Sequence, residues 1–182
     1  MFDNIDGVNW RQLRQAHGSA EHVPSAIKNL TSADAKTRET AYWQLDNHVV
    51  LQSGLYEAAF YVIPFLVEIL EGDSEGCDYA YDLLFEIANG CAAQEIKCFY
   101  GDEELELGEA CRAVISEFVP IYLQEVTDVN SMYREQALSL LKSLPKAKGK
   151  IIPVLSEIIS REGIKSGFGA KLNEAIANLS GL

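Results

Sequence analysis

The side chains able to do chemistry crowd into one stretch of this sequence. Glu75, Asp78, Asp82 and Glu86 recur at intervals of three and four residues, and on a helix, where each residue turns by about 100°, they share one stripe. Carboxylates gathered in this way can exchange a proton with a substrate or hold a divalent cation. Either use needs companions that the chain lacks: no D-x-[DN]-x-[DN]-G loop is present, and Gly101-Asp102-Glu103-Glu104 is a charge run without ligand spacing. Cys77, Cys91, Cys98 and Cys111 lie 14, 7 and 13 residues apart, too far for the tight pair that fixes two ligands of a structural zinc. Cys77 and Cys111 are expected to pack between helices; for Cys91 and Cys98 a redox bridge is the alternative to free thiols. His17 and His22 are five residues apart across a Gly-Ser turn, and with His48 they read as isolated polar residues at turns. No nucleophile elbow, H-E-x-x-H, phosphate loop or dinucleotide fingerprint occurs. The residues thus predict no catalytic group, no metal and no cofactor.

The composition places this chemistry in a folded, acidic chain. Of 182 residues, 48% are hydrophobic and 23% charged, which suits one globular domain, and the formal charge is −12. Residues 1–67 hold seven acids and five bases, residues 68–109 thirteen acids and only Lys97, and residues 110–182 seven acids and nine bases. The middle quarter therefore carries the whole excess. A nucleic-acid binder needs clustered Lys and Arg to displace counterions, and the one basic cluster, Lys142, Lys146, Lys148 and Lys150, surrounds the Pro145 turn, where it can serve helix ends. No nucleic-acid role is expected. Two readings account for the acidic segment: a cationic partner, or a solvated surface. Apolar runs such as Phe60 to Leu70 are shorter than a membrane span and contain Glu68, and the first residues lack the pattern of an export signal. A cytoplasmic protein with reduced thiols and no membrane contact is the expectation.

Helices must position these residues. Pro24, Pro64, Pro120 and Pro153 each follow Val or Ile and head an apolar run, at spacings of 40, 56 and 33 residues. Proline fits the first turn of a helix, so the recurrence predicts repeated helix starts. Between them, Asp34 is placed to cap a helix carrying Arg38, Ala41, Tyr42 and Leu45, and Asn130 heads a second copy with Arg134, Ala137, Leu140 and Leu141. Ser74 to Ala88 is the middle copy, with Ala80, Leu83, Leu84 and Ile87 opposite the acids. Trp10, Tyr42, Trp43 and Tyr56 are read mainly as core. Strand signals are nearly absent, since no Asn-Gly or Asp-Gly lies between alternating apolar runs. Residues 89–108 lengthen one spacing and are read as an acidic insertion whose Phe99 and Tyr100 suit either a binding loop or a solvated one.

The D-x-x-x-R-x-x-A pattern at Asp34, Arg38 and Ala41, followed by the (V/I)-P helices, resembles HEAT or HEAT-like repeats over most of residues 8–179. Trp10 with His17 through Pro24, and Gly54 through Ala58 leading to Ile63-Pro64-Phe65-Leu66, are similar to bacterial HEAT-like proteins. The resemblance implies an all-α fold: a short right-handed α-solenoid of about four HEAT-like helix pairs, as one domain over residues 1–182. In such arrays the first helix of a pair faces the convex side and the proline-led second helix lines the concave side. That would set Glu57, Tyr61, Glu68 and Glu71 inside and the Glu75 to Glu86 stripe outside. The family is mostly one of scaffolds and binders, so with the acidic segment it implies a non-enzymatic module for a basic protein partner. Small acidic proteins of this kind resemble bacterial immunity proteins, which neutralise a cationic toxin such as a nuclease, and the resemblance implies that role as one form of the module. A scaffold subunit and a HEAT-like enzyme such as a bilin lyase are the alternatives, and a HEAT-like DNA glycosylase would need a basic groove that the charge denies. The expected partner-binding residues are Glu68, Glu71, Glu75, Asp78, Asp82, Tyr100, Asp102, Glu103, Glu104 and Glu106. The oligomeric state is not fixed by the sequence.

Overall fold

A computed structural model describes residues 1–72, 74–163 and 167–181. The helix capped by Asp34, α2 (Ala35–Val49), follows α1 (Val23–Asn29) and begins where its sequence predicts. Asp34 is extended and accepts hydrogen bonds from the Thr37 backbone N–H (2.9 Å) and the Thr37 hydroxyl (2.6 Å), satisfying a donor the first turn leaves free. Ala41, Leu45 and Val49, four apart, form its buried face. Next comes α3 (Ala58–Glu71), apolar almost all round and buried at eight positions, which packs against both α1 and α4 (Cys77–Asn89). In α4, Ala80, Leu83, Leu84 and Ile87 are buried and Asp78 and Asp82 exposed, as the 3.6-residue period predicts. Gly76 permits its start: a Cβ there would lie 2.2 Å from the Leu30 carbonyl oxygen.

The remaining helices are α5 (Leu107–Glu117), α6 (Val119–Thr127), α7 (Arg134–Lys142), α8 (Lys148–Glu162) and α9 (Gly167–Ser180). The fold is all-α in class. The chain divides into two compact units, Met1–Ile115 and Ser116–Leu182. Within the first, α1 packs on α2 and α3 on α4, with further contacts from α1 to α3 and α2 to α4; within the second, α6 pairs with α7 and α8 with α9, and α6 meets α8 while α7 meets α9. Each proline-bearing helix is thus partnered most extensively with the helix that follows it. Fully buried Leu and Ile side chains such as Leu30, Leu66, Leu84, Leu140 and Ile151 fill these seams, each contributing about 1.5–3 kcal/mol by leaving water.

Three sequence expectations are corrected here. Pro24 and Pro120 do sit in first turns, but Pro64 and Pro153 lie inside α3 and α8. Each interior proline forgoes one ladder hydrogen bond, and the apolar turn before it keeps its helical course. Asn130 does not cap α7, which begins at Arg134 with Tyr133 as its N-cap and no side-chain capping bond. Short strands also exist: β1 (Val50–Leu51), β2 (Gly54–Leu55) and β3 (Cys91–Ala92) form one small sheet, and β4 (Lys97–Tyr100) and β5 (Glu103–Glu106) an antiparallel hairpin. The hairpin turns on Gly101-Asp102, with glycine first at φ +59°, the residue order of a type II′ turn rather than the Asp-Gly order of type I′.

Candidate functional site

The fold places the ten expected partner-binding residues in three groups. At the end of α3, Glu71 is exposed, whereas Glu68 accepts a hydrogen bond from the Phe2 backbone N–H and so ties down the chain start. Glu57 and Tyr61, expected on the concave side with Glu68, meet other partners: Glu57 pairs with Arg14 at 3.6 Å, and burial, with Cys98 and Glu57 nearby, pushes the Tyr61 phenol up.

The second group is the α4 stripe, and α2 faces it. Glu75 is bound by Arg38 at 2.6 Å, and the same guanidinium donates to the Ser32 carbonyl. Asp78 stays exposed on the first turn. Asp82 accepts the Tyr42 hydroxyl hydrogen. The stripe that α4 alone leaves without a basic neighbour is therefore partly served from α2. Beyond Asp82 the service stops. Asp46 of α2 joins Asp82 and Glu86, and among the described residues no Lys or Arg pairs with any of the three. Burial first, then the charges of the neighbouring acids, push the Asp46 and Glu86 carboxyls above the ordinary carboxylate range. The Tyr42 phenol is pushed up as well, by burial and by its bond to Asp82.

Aromatic rings border this acid cluster. Trp43 is 51% exposed and its ring meets Tyr42 edge-on at 4.9 Å, while Tyr42 and Tyr79 lie 5.0 Å apart. Trp43 is a correction to the expected core placement, and its position could have been read from the period: it is two residues past Ala41, about 200° round the helix from the buried face. Trp10 is buried as expected, against Phe65 with its ring N–H on the Ile5 carbonyl at 2.7 Å.

The third group is the insertion, which the fold ties down at both ends. Arg112 of α5 donates to the Ala88 and Gly90 carbonyls, Ala93 N–H to Leu55, and Leu107 N–H to Ile96 at 3.0 Å. On the hairpin Cys98 and Leu105 stand opposite each other on the inner side, with Tyr100 half-buried, while Phe99 on the outer side is 72% exposed. Asp102 occupies the turn and Glu103 is exposed. Lys97 pairs with Glu104 at 2.9 Å, and this bond raises the Lys97 ammonium above its ordinary value. Glu106 holds a helix start: its carboxylate accepts the Gly108 and Glu109 backbone N–H groups (3.0 and 3.3 Å) in the first turn of α5.

The other reactive types fall elsewhere. All four cysteines are thiols rather than disulfides, with Cys77 and Cys111 buried between helices and Cys91 exposed; burial pushes the Cys98 and Cys111 thiols up, away from thiolate reactivity. The three histidines are not isolated. His22 and His48 rings lie 4.8 Å apart and His17 and His48 6.2 Å apart, edge to face, and His22 and His48 both bond the Gln44 carbonyl. Among the described residues no group of three or more His, Cys, Asp or Glu side chains is arranged to hold a metal ion, and no helix is long and apolar enough to cross a membrane. No family model, curated protein or solved structure matches the chain.

Proposed function

We propose that the protein is a non-enzymatic binding module whose partner is a basic protein, taken up on the α2–α4 surface. The observation that carries this reading is the Asp46, Asp82 and Glu86 cluster, with which no Lys or Arg pairs among the described residues and beside which the exposed Trp43 stands. Holding like charges together costs free energy in the unbound molecule, and a Lys or Arg arriving from a partner relieves it. Tyr42, Tyr79 and Trp43 offer ring faces to the same cation, an interaction of about 0.5–2 kcal/mol. The concentrated charge also steers a cationic protein toward this face, faster at low salt than at high.

A HEAT-like stacked array is the architecture we attach to this function, with neutralisation of a cationic toxin by an immunity-type protein as its biological form. Its support is the contact of α1 with α3 and α2 with α4 in the first unit, and of α6 with α8 and α7 with α9 in the second, a stacking of one helix pair on the next of the kind that repeats use.

The test is association with the protein encoded by the neighbouring gene, followed by stopped-flow across a salt series. For Asp82→Lys/Glu86→Lys, the association rate should fall about tenfold or more at low salt and its salt dependence flatten. A rate and a salt slope unchanged from wild type would remove the α2–α4 surface from the mechanism.

A further inference from the structure

The β4–β5 hairpin ends in an open sheet edge. In a hairpin with a two-residue turn, the residues flanking the turn exchange both backbone hydrogen bonds and the next pair exchanges none, so the pairs alternate outward. The register is Tyr100 with Glu103, Phe99 with Glu104, Cys98 with Leu105 and Lys97 with Glu106. Tyr100–Glu103 and Cys98–Leu105 are accordingly the bonded pairs, and the Leu107 N–H to Ile96 carbonyl bond continues the same alternation one step further. The backbone N–H and C=O groups of Glu104 and Glu106 then point away from β4. Among the described residues β5 pairs with β4 alone and no turn or loop bond reaches the Glu104 N–H and C=O or the Glu106 N–H, whereas the Glu106 carbonyl, at the N-cap of α5, accepts the first bond of that helix; both residues are exposed.

We infer that β5 is a docking edge for one extended, basic segment of the protein partner, which adds to the hairpin as a third strand. The open backbone carries the inference, and charge selects the occupant. A second copy of this chain presenting the same edge would set Glu103, Glu104 and Glu106 against their own kind, and like charges on neighbouring strands repel, so self-pairing is disfavoured. A strand with Lys or Arg at alternate positions meets those carboxylates instead. Its basic side chains displace Lys97 from Glu104, an exposed and easily exchanged ion pair. Phe99, directly across from Glu104 and 72% exposed, gives a ring to the same side chains. The edge is presented ready-made, because Cys98 and Leu105 anchor the inner face and Glu106 fixes the start of α5. This mode of recognition draws affinity from main-chain bonds and selectivity from alternate side chains.

The inference rests on the basic-partner reading and adds a location and a mode to it. Its probe is a labelled heptapeptide, acetyl-Lys-Val-Lys-Phe-Lys-Val-Lys-amide, titrated against wild type, Glu104→Gln and Glu104→Pro by fluorescence anisotropy. Proline at an outward-facing position spares the hairpin's own bonds and removes only the edge donor, while Glu104→Gln removes the same charge and keeps the N–H. Glu104→Pro should bind the peptide about three- to tenfold more weakly than Glu104→Gln. Hydrogen exchange on the wild type, which needs no variant, should show the peptide protecting the Glu104 and Glu106 amides. Equal affinities for the two variants, protection confined to other segments, or no peptide binding at all would each overturn strand addition. The basic-partner reading is judged apart, by whether Asp82→Lys/Glu86→Lys slows association with the neighbouring gene's product.

Discussion

Arg38 in the first unit and Arg134 in the second occupy the same place in the D/N-x-x-x-R pattern and do the same kind of work to different depths. Each bonds a carbonyl that precedes its own helix, Ser32 in the α1–α2 connection for Arg38 (2.6 Å) and Val126 in the last turn of α6 for Arg134 (2.7 Å), and each pairs with one glutamate at 2.6 Å. Glu75 is 68% exposed, whereas Glu162 is 16% exposed. Arg134 also stacks over Phe168 at 3.8 Å, and Arg161 adds a second bond to Glu162. The second unit uses its arginine as a partly buried knot. The first buries its own arginine as deeply, 14% against 12% exposed, but pairs it with a glutamate that stands in water at the head of the acidic stripe. One sequence pattern thus supports packing in one unit and borders a charged surface in the other.

The largest expected effect comes from breaking the deeper knot. Arg134→Ala leaves the Val126 carbonyl without its side-chain donor and Glu162 with only its longer bond to Arg161, and should lower stability by about 2–4 kcal/mol in denaturant unfolding. Arg38→Ala, with a solvent-screened partner, should cost about 1 kcal/mol in the same assay. Equal losses would abolish the distinction between the two arginines. The caps sharpen it further: Asp34→Ala should lower the melting midpoint by roughly a few degrees, and Asn130→Ala, which removes no helix cap, should leave it in place.

The smallest effect is one of sign. Arg134 holds the Glu162 carboxyl below the ordinary range, so its contribution is present above the unfolded value of about 4.3 and is lost as pH falls through the lower folded value. Asp46 and Glu86 are raised; their contribution is full below the unfolded values near 4 and is lost as pH rises through the raised folded ones. Asp46→Asn/Glu86→Gln should therefore stabilise the protein at pH 7, by about 0.2–0.5 kcal/mol for each repulsive pair removed, with the advantage vanishing toward pH 3. Unfolding curves across that pH range check this, and a gain that persists at pH 3 would show that repulsion is not its source.

Much of this was legible in residue order. The Asp34 cap, the buried face of α4 and the exposed acids opposite it follow from local spacing, because a helix turns a one-dimensional period into a face. Trp43 obeys the same rule: its place on the helix outweighs the tendency of its residue type to be buried. The hairpin does carry a local signal, Gly101-Asp102 in the order of a type II′ turn, which a search for Asn-Gly or Asp-Gly passes over, and its four-residue strands hold little further pattern. Pro64 and Pro153 mislead because proline marks a first turn only as a tendency, and burial of the flanking apolar residues outweighs one lost hydrogen bond. The histidine cluster has no local signal: His22 and His48 are separated by most of two helices.

By itself the sequence determined the all-helical class, the helix faces and the concentration of acid in residues 68–109, all of which depend on neighbours within a few positions. Only the tertiary structure decided which of those acids have counterparts. Glu75 is matched by Arg38 and Glu106 by the start of α5, while Asp82 and Glu86 meet a further acid, Asp46, from outside that segment on α2. Charge pairing acts over a few ångströms in space and is indifferent to distance along the chain. That is why the net charge was visible in the composition, and the place where it stands unbalanced became visible only once α2 lay beside α4.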